Sequence, residues 1–242
     1  MSSEASAPVA LGQGLVEAQR LHWREHASEA TLRRDGRRWT FWTVAVLVSF
    51  GAPAVLLLAL NPLLFPVALI LVAHAWLICR LQAGRAVTSV LVLQTGGAAS
   101  TPMPGPNSVA LGLLGDLLGH DERELMQRTG MAMQRGRLGV WLLGERGALL
   151  IRPGGRRIFS FCVRVGEGDD LPAADRVAHL LLALREDEEG FATVANLGFS
   201  GAVWRCRVRM KARQRAALEA ARAAARAIPT TPAAAREVHA AA

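Results

Sequence analysis

A long apolar run constrains the fold of this chain more than any other feature. Between positions 39 and 79, His74 is the only acidic, basic or histidine residue. An apolar stretch of about 10–14 residues suits a helix in a soluble core, whereas a membrane-crossing helix needs about 20. Asn61-Pro62 interrupts the run with a helix-breaking pair. The sequence therefore predicts a transmembrane hairpin made of residues 39–60 and residues 63–81.

Basic residues predict how this hairpin is oriented. They flank both of its outer ends: Arg33, Arg34, Arg37 and Arg38 precede the first span, and Arg80 and Arg85 close the second. The connecting turn carries no charge, and positive residues stay on the cytoplasmic side of a membrane. We therefore predict a two-span protein of the cell membrane with both termini in the cytoplasm. A cleaved signal peptide fits less well, because its apolar core would be shorter and nearer the N-terminus.

His74 lies inside the second predicted span, where an ionisable side chain is by default a functional candidate. Haem binding or proton transfer would require a second ligand or an acidic relay partner. We therefore interpret His74 as a neutral imidazole that hydrogen-bonds across the hairpin, to Ser49 or Thr43, or faces a partner subunit. Trp39, Trp42 and Trp76 lie near the charged end, as an interfacial aromatic belt would.

The composition indicates a basic surface. The chain has 28 Lys and Arg against 20 Asp and Glu, a formal net charge of +8, which favours lipid headgroups, nucleic acid or an acidic protein as partner. Arginine and alanine dominate, as in bacterial proteins encoded at high G+C content, so the charge by itself does not indicate nucleic acid. Cys79, Cys162 and Cys206 form no C-x-x-C pair and are predicted to be free thiols.

Composition shifts divide the chain into five predicted parts. These are a cytoplasmic N-terminal segment with an amphipathic helix (residues 1–38), the transmembrane hairpin (39–82), a linker (83–107), a cytoplasmic α+β domain (108–228) and a disordered tail (229–242). The linker includes the Gly- and Pro-rich sequence TGGAASTPMPGPN. Whether residues 87–93 prolong the second helix or form a strand stays open at this point.

Hydrophobic periodicity and turn residues predict the elements of the domain. Helices are expected at 108–119, at 121–135, from about 172 to 189 and at 213–227, and strands at 138–143, 148–152, 157–165, 191–197 and 203–210. The predicted order is α-α-β-β-β-α-β-β-α, an α+β fold with an antiparallel sheet.

The segment HWREH, residues 22–26, matches the H-x-x-E-H pattern of one class of zinc peptidases. A catalytic zinc site also needs a third protein ligand and a closed pocket, which the pattern by itself does not supply. We interpret the segment as part of a charged helix over about residues 11–32, close enough to the membrane for Trp23 to touch the headgroups.

Other short motifs favour structure over catalysis. RPGGRR, residues 152–157, lacks a phosphate-loop pattern and is typical of a hairpin turn. GFSGA, residues 198–202, misses the final glycine of the G-x-S-x-G nucleophile elbow. With no catalytic motif found, we expect no catalytic residue, metal site or cofactor, and a non-enzymatic role is favoured.

The strongest binding candidate is WRCRVRMK, residues 204–211. If this segment is a strand, Arg205, Arg207, Arg209 and Lys211 share one face and form a cationic stripe. The nearest anionic partner would be the cytoplasmic lipid leaflet, at about 1 kcal/mol per basic side chain. Nucleic acid is less favoured, because no surface aromatics interleave with the cations. Two structural alternatives require no ligand. The charges could prevent an exposed edge strand from pairing with another chain, or the acidic residues 186–189 could neutralise them.

These features predict a membrane-anchored protein with a non-catalytic cytoplasmic domain that docks onto a protein partner or the membrane surface. One alternative is an accessory subunit of a larger membrane complex for secretion or transport, with the hairpin and His74 as its contact surface. Another is a membrane-tethered enzyme of unknown reaction.

Overall fold

The computed structural model describes residues 15–21, 23–90, 106–163 and 171–229, with the backbone alone at residues 19–20, 85–89 and 106–108. The N-terminal elements are α1 (Val16–Arg20), α2 (Glu29–Leu60), a 3-10 turn (Pro62–Leu64) and α3 (Phe65–Val90). The remaining helices are α4 (Pro106–Leu117), α5 (His120–Thr129), α6 (Ala173–Glu186), α7 (Glu188–Val194), α8 (Val203–Arg207) and α9 (Ala212–Ala227). The strands are β1 (Ala132–Arg135), β2 (Val140–Gly144), β3 (Gly147–Ile151), β4 (Arg157–Cys162) and β5 (Asn196–Ala202).

The five strands form one antiparallel sheet in the order β1-β2-β3-β4-β5, which confirms the predicted α+β class. Trp141 pairs with Leu150, and Ser160 pairs with Phe199 beside a register shift in β4. The turn between β3 and β4 requires glycine at position 155. Gly155 has φ of +64°, and a Cβ there would stand 2.9 Å from the carbonyl oxygen of Arg222.

Helices cover both faces of the sheet. On one face, Trp141 and Phe161 pack with residues of α4, α6 and α7, and on the other, Leu142 and Leu149 pack with α8, α9 and the end of α3. Burial on both faces explains why β2 and β3 are continuous apolar runs without polar alternation. The result is a three-layer domain whose central strands are fully buried.

The helices α2 and α3 form an antiparallel hairpin, and both are long and apolar enough to cross a membrane. Asn61 ends α2, and its side chain accepts a hydrogen bond from the backbone N–H of Leu63 (3.0 Å). Most apolar side chains of the hairpin are exposed, while Ala54, Ala68 and Ala75 are buried between the helices. In the most apolar 18-residue stretch of each helix, only 6% (α2) and 11% (α3) of the residues are buried. The core helix of a soluble protein is mostly buried.

Both helices continue beyond the hairpin into the domain. The helix α2 starts at Glu29, well before position 39, with a capping box between Ser28 and Thr31. The helix α3 runs to Val90, so the described residues from position 87 onward extend the second helix. Ala83 and Val90 are buried against the sheet, so the start of the predicted linker contributes to the core.

Two predicted strands are wrong. The segment 203–210 is not a strand, because residues 203–207 form helix α8. Its apolar and charged residues alternate as in a strand, but Val203, Cys206 and Met210 also follow the spacing of a helix. These three residues are buried, and their burial favours the helix over the strand. The segment 191–197 is mostly the end of α7, and strand β5 begins only at Asn196.

The predicted helix 121–135 ends early, at Thr129, since Gly130 adopts the left-handed conformation (φ 75°) that stops a helix. The following residues form edge strand β1. The predicted N-terminal helix over 11–32 is also interrupted, because Arg24 donates to the carbonyl oxygens of Thr193 and Val194 (2.9 Å each) and holds its segment against the end of α7. Predictions for residues 1–14, His22, 91–105, 164–170 and 230–242 lie outside the described residues.

Candidate functional site

The end of the hairpin opposite its turn, which we call the hairpin base, is held by arginines of the domain. Arg205 of α8 donates through Nη2 to the carbonyl oxygen of Cys79 (2.8 Å) and through Nη1 to Thr43 Oγ1 (3.4 Å). Arg157 of β4 donates to the carbonyl oxygen of Gly36 and to Thr40 Oγ1 (2.6 Å). Helix carbonyls keep a second lone pair free, so these guanidinium groups bind without breaking either helix.

Phe199 of β5 lies between the two parts of the molecule. Its ring contacts the edge of Trp39 on α2 (5.6 Å between centroids), and the Arg205 guanidinium lies 5.1 Å from its centroid. Phe199 is fully buried, so its contact with Trp39 is shielded from water on the Phe199 side. Trp39 therefore packs into the domain, while Trp42 and Trp76 remain exposed on the hairpin.

The four cations proposed as a stripe do not share a strand face, because α8 is a helix. Arg205 and Arg209 both donate to carbonyl oxygens of α3, Arg209 to that of Arg80 (3.3 Å). Arg207 forms an ion pair with Glu219 of α9 (2.8 Å), and Lys211 is exposed just before α9. Binding of anions by these residues stays a prediction.

The exposed side of α8 is apolar at two positions one helical turn apart. Trp204 is 65% exposed and Val208, just after the helix, is 62% exposed. Arg205 and Arg209 hold this segment beside the carbonyl groups of Cys79 and Arg80, where the apolar part of α3 ends. Trp204 and Val208 are therefore exposed close to that end of the apolar helix. We call Trp204, Arg207, Val208 and Lys211 the α8 surface.

Within the described residues of the two hairpin helices, His74 makes no hydrogen bond from one helix to the other. Its Nδ1 lies 2.8 Å from the carbonyl oxygen of Ile70 in the same helix, and its ring stacks on Phe50 of α2 (6.3 Å between centroids, 9° between planes). Thr43 instead donates to the carbonyl oxygen of Trp39 (2.9 Å). The imidazole is exposed on the outside of the hairpin, so the alternative of contact with a partner subunit stays a prediction.

The acidic residues after α6 do not neutralise the predicted stripe. Glu188 accepts hydrogen bonds from the backbone N–H groups of Arg137 (2.6 Å) and Leu138 (3.1 Å) and from Trp141 Nε1 (2.6 Å). Glu189 forms an ion pair with Arg137 (2.9 Å). Glu188 borders a cleft of about 570 Å³, and the bonds of Glu188 and Glu189 organise the β1–β2 turn.

The HWREH segment is not helical in its described part, residues 23–26. Glu25 forms an ion pair with Arg34, and Arg24 holds the end of α7. In the described part of the chain, no three His, Cys, Asp or Glu residues are grouped so that they could hold a metal ion.

Cys206 is the buried thiol of the domain. Burial raises its pKa to about 12, although the neighbouring Arg205 acts in the opposite direction. A thiol protonated to that extent is a poor nucleophile at neutral pH, so Cys206 is a core residue.

Sequence reasoning missed the structural roles of Arg24, Arg157 and Glu188. Their partners are mainly backbone groups distant in the chain, and a backbone carbonyl or N–H leaves no signal in a sequence. No family model, curated protein or solved structure matches this chain.

Proposed function

We propose that this protein is a two-span membrane protein with both termini in the cytoplasm, and that its non-catalytic α+β domain docks onto the cytoplasmic face of the bilayer. The contact between Arg205 and Cys79 carries the proposal, because it joins the domain directly to the end of an apolar helix. The exposed apolar surface of the hairpin supports insertion, since water would otherwise cover two whole helices.

The α8 surface supplies the chemistry for contact with lipid. Tryptophan side chains favour the headgroup layer, because the ring is apolar and its N–H can still reach water. Trp204 and Val208 project beside Arg207 and Lys211, whose charges would each contribute about 1 kcal/mol near an anionic leaflet. The predicted binding residues therefore contribute in two ways: Arg205 and Arg209 hold the hairpin, and Arg207 and Lys211 face the lipid.

The test is a depth measurement on the full-length protein in vesicles containing anionic lipid. With Cys79 and Cys162 replaced by serine, an environment-sensitive fluorophore is attached at Val208→Cys and, as the control, at Ala223→Cys on the exposed side of α9. Lipids carrying a quencher in the upper acyl chain should quench the label at position 208 and leave the label at 223 unchanged. Equal quenching at both positions would contradict docking through the α8 surface.

Topology is tested separately by protease protection of tags fused to each end of the chain. Both tags should be cleaved in inside-out vesicles and protected in right-side-out vesicles. Protection of one tag in each preparation would exclude the two-span arrangement.

A second candidate role, that of an accessory subunit of a secretion or transport complex, is favoured by an apolar surface on α4. Val109 and Leu113 are 65% and 60% exposed, and Leu182 of the neighbouring α6 is also exposed. Exposed apolar patches of this kind are typical of protein interfaces. A photo-crosslinker at Leu113 should then trap one discrete partner in intact membranes, and a matched crosslinker at exposed Glu124 of α5 should not.

A further inference from the structure

A cavity of about 430 Å³ lies where α2, α3 and β5 meet at the hairpin base. The residues that form it on α2 are Asp35, Arg38, Trp39, Trp42 and Val46. Gln82 of α3 and Leu197 of β5 also line it. The cavity therefore combines two opposite charges, an amide and an apolar wall within one space.

These groups are ordered along the helix axis. From Asp35 to Val46 the helix rises about 16 Å, at roughly 1.5 Å per residue. The charged residues are at the domain end, the two tryptophans follow, and Val46 is at the end toward the apolar spans. A headgroup layer about 5–7 Å thick, together with roughly the first 10 Å of hydrocarbon below it, has the same polarity gradient over the same distance. The cavity thus matches the upper part of a lipid leaflet.

In the part of the chain that the structure describes, the two charged side chains of the cavity make no direct polar contact, although Asp35 attracts the neighbouring Arg34 electrostatically. Among the described residues, neither Asp35 nor Arg38 forms a salt bridge or a side-chain hydrogen bond, and they do not pair with each other. In contrast, Arg33 and Arg34 on the same helix are paired with Glu29 and Glu25. An anion and a cation three residues apart on one helix, with no ion pair among the described residues, are arranged for a ligand that carries both charges.

We propose that this cavity binds one phospholipid whose headgroup carries a primary amine, of the phosphatidylethanolamine class, and the inference rests on the proposed membrane location. Arg38 binds the phosphate, and Asp35 binds the ammonium group beside the aromatic rings. Gln82 donates to the glycerol ester region, and the first acyl carbons lie along Trp42 and Val46. An anionic headgroup without an amine is disfavoured, because Asp35 repels it and its own charge stays unpaired.

The test uses the full-length protein in mild detergent, titrated with dioleoyl phosphatidylethanolamine or with phosphatidylglycerol of the same chains. Native mass spectrometry counts bound lipid. The wild type should bind the ethanolamine lipid about fivefold more tightly. Arg38→Gln should weaken the binding of both lipids about fivefold. Asp35→Asn should remove the preference, because it weakens binding of the ethanolamine lipid and relieves the repulsion of phosphatidylglycerol.

The matched controls are Arg37→Gln and Asp121→Asn, which change exposed charges that do not line the cavity. Unchanged thermal unfolding of all four variants shows that the fold is intact. Equal affinity of the wild type for the two lipids, or equal weakening by Arg37→Gln and Arg38→Gln, would overturn the lipid site. Soluble phosphoethanolamine has the same headgroup chemistry as the lipid. If it binds as tightly as the lipid does, the ligand of the cavity is a soluble molecule and the lipid proposal is wrong.

Carbonate extraction of the cell membranes from which the protein is purified separates this inference from the proposed function. A chain that is extracted with peripheral proteins overturns the membrane location and the lipid site together. A chain that stays in the membrane and shows no headgroup preference overturns the lipid site alone.

Discussion

The guanidinium group of Arg205 and the carbonyl oxygen of Cys79 lie 2.8 Å apart and join the domain to the second apolar helix. The same guanidinium also reaches Thr43 and the ring of Phe199, so one side chain contacts α2, α3 and β5. A change at position 205 should therefore affect the docking of the hairpin and the stability of the domain together.

We expect Arg205→Ala to lower the free energy of unfolding by about 1.5–3 kcal/mol, because it removes charged hydrogen bonds from a half-buried site. Arg207→Ala removes only an exposed ion pair with Glu219 and should cost less than about 1 kcal/mol. Denaturant unfolding in detergent, followed by far-UV circular dichroism, measures both. Equal losses would show that Arg205 does not join the two parts.

Glu188 should be the most sensitive of the acidic residues after α6. Glutamine at this position has one acceptor oxygen in place of two, so it cannot satisfy three donors that include the buried Trp141 indole. We expect Glu188→Gln to cost about 1–3 kcal/mol of unfolding free energy. The exposed Glu186→Gln is the control and should change stability by less than about 0.5 kcal/mol.

Two glycine substitutions should act in opposite directions. Gly155→Ala should destabilise the domain by about 1–3 kcal/mol, because the position has φ of +64° and an added Cβ would approach the Arg222 carbonyl oxygen at 2.9 Å. Gly112→Ala, on α4 with nothing within 4 Å of the new Cβ, should stabilise it by about 0.5–1 kcal/mol. The thermal unfolding midpoint should fall for Gly155→Ala and rise for Gly112→Ala. A shift in the same direction for both variants would contradict the prediction.

Cys206 should resist alkylation in the folded protein. With its pKa raised to about 12, about one molecule in ten thousand carries the thiolate at pH 8, and burial also blocks access. Iodoacetamide at pH 8 should leave Cys206 unmodified and should modify it fully after unfolding in guanidinium chloride. The mass of peptide 190–219, released by cleavage after glutamate, measures both outcomes. Rapid labelling of the native protein would show that α8 opens readily.

The sequence by itself determined the elements whose signals are local and strong. The apolar run with Asn61 at its centre predicted two long helices and their turn. The turn glycines around positions 144–147 and 154–155 separated three strands, which the structure confirms within a few residues as β2, β3 and β4. Long periodicity and required glycines act within a short stretch of chain, so they are readable without the fold.

The tertiary structure alone decided the elements where local signals conflict and the contacts that join distant parts. The segment 203–210 fits a strand or a helix, and burial of Val203, Cys206 and Met210 against the sheet selects the helix. The candidate site follows from that choice, because only a helix at this place lets Arg205 and Arg209 reach the carbonyl oxygens of α3. The physical reason is that these partners are backbone atoms more than 100 residues away in the chain. Every residue offers the same carbonyl group, so only the folded arrangement determines which carbonyl an arginine binds.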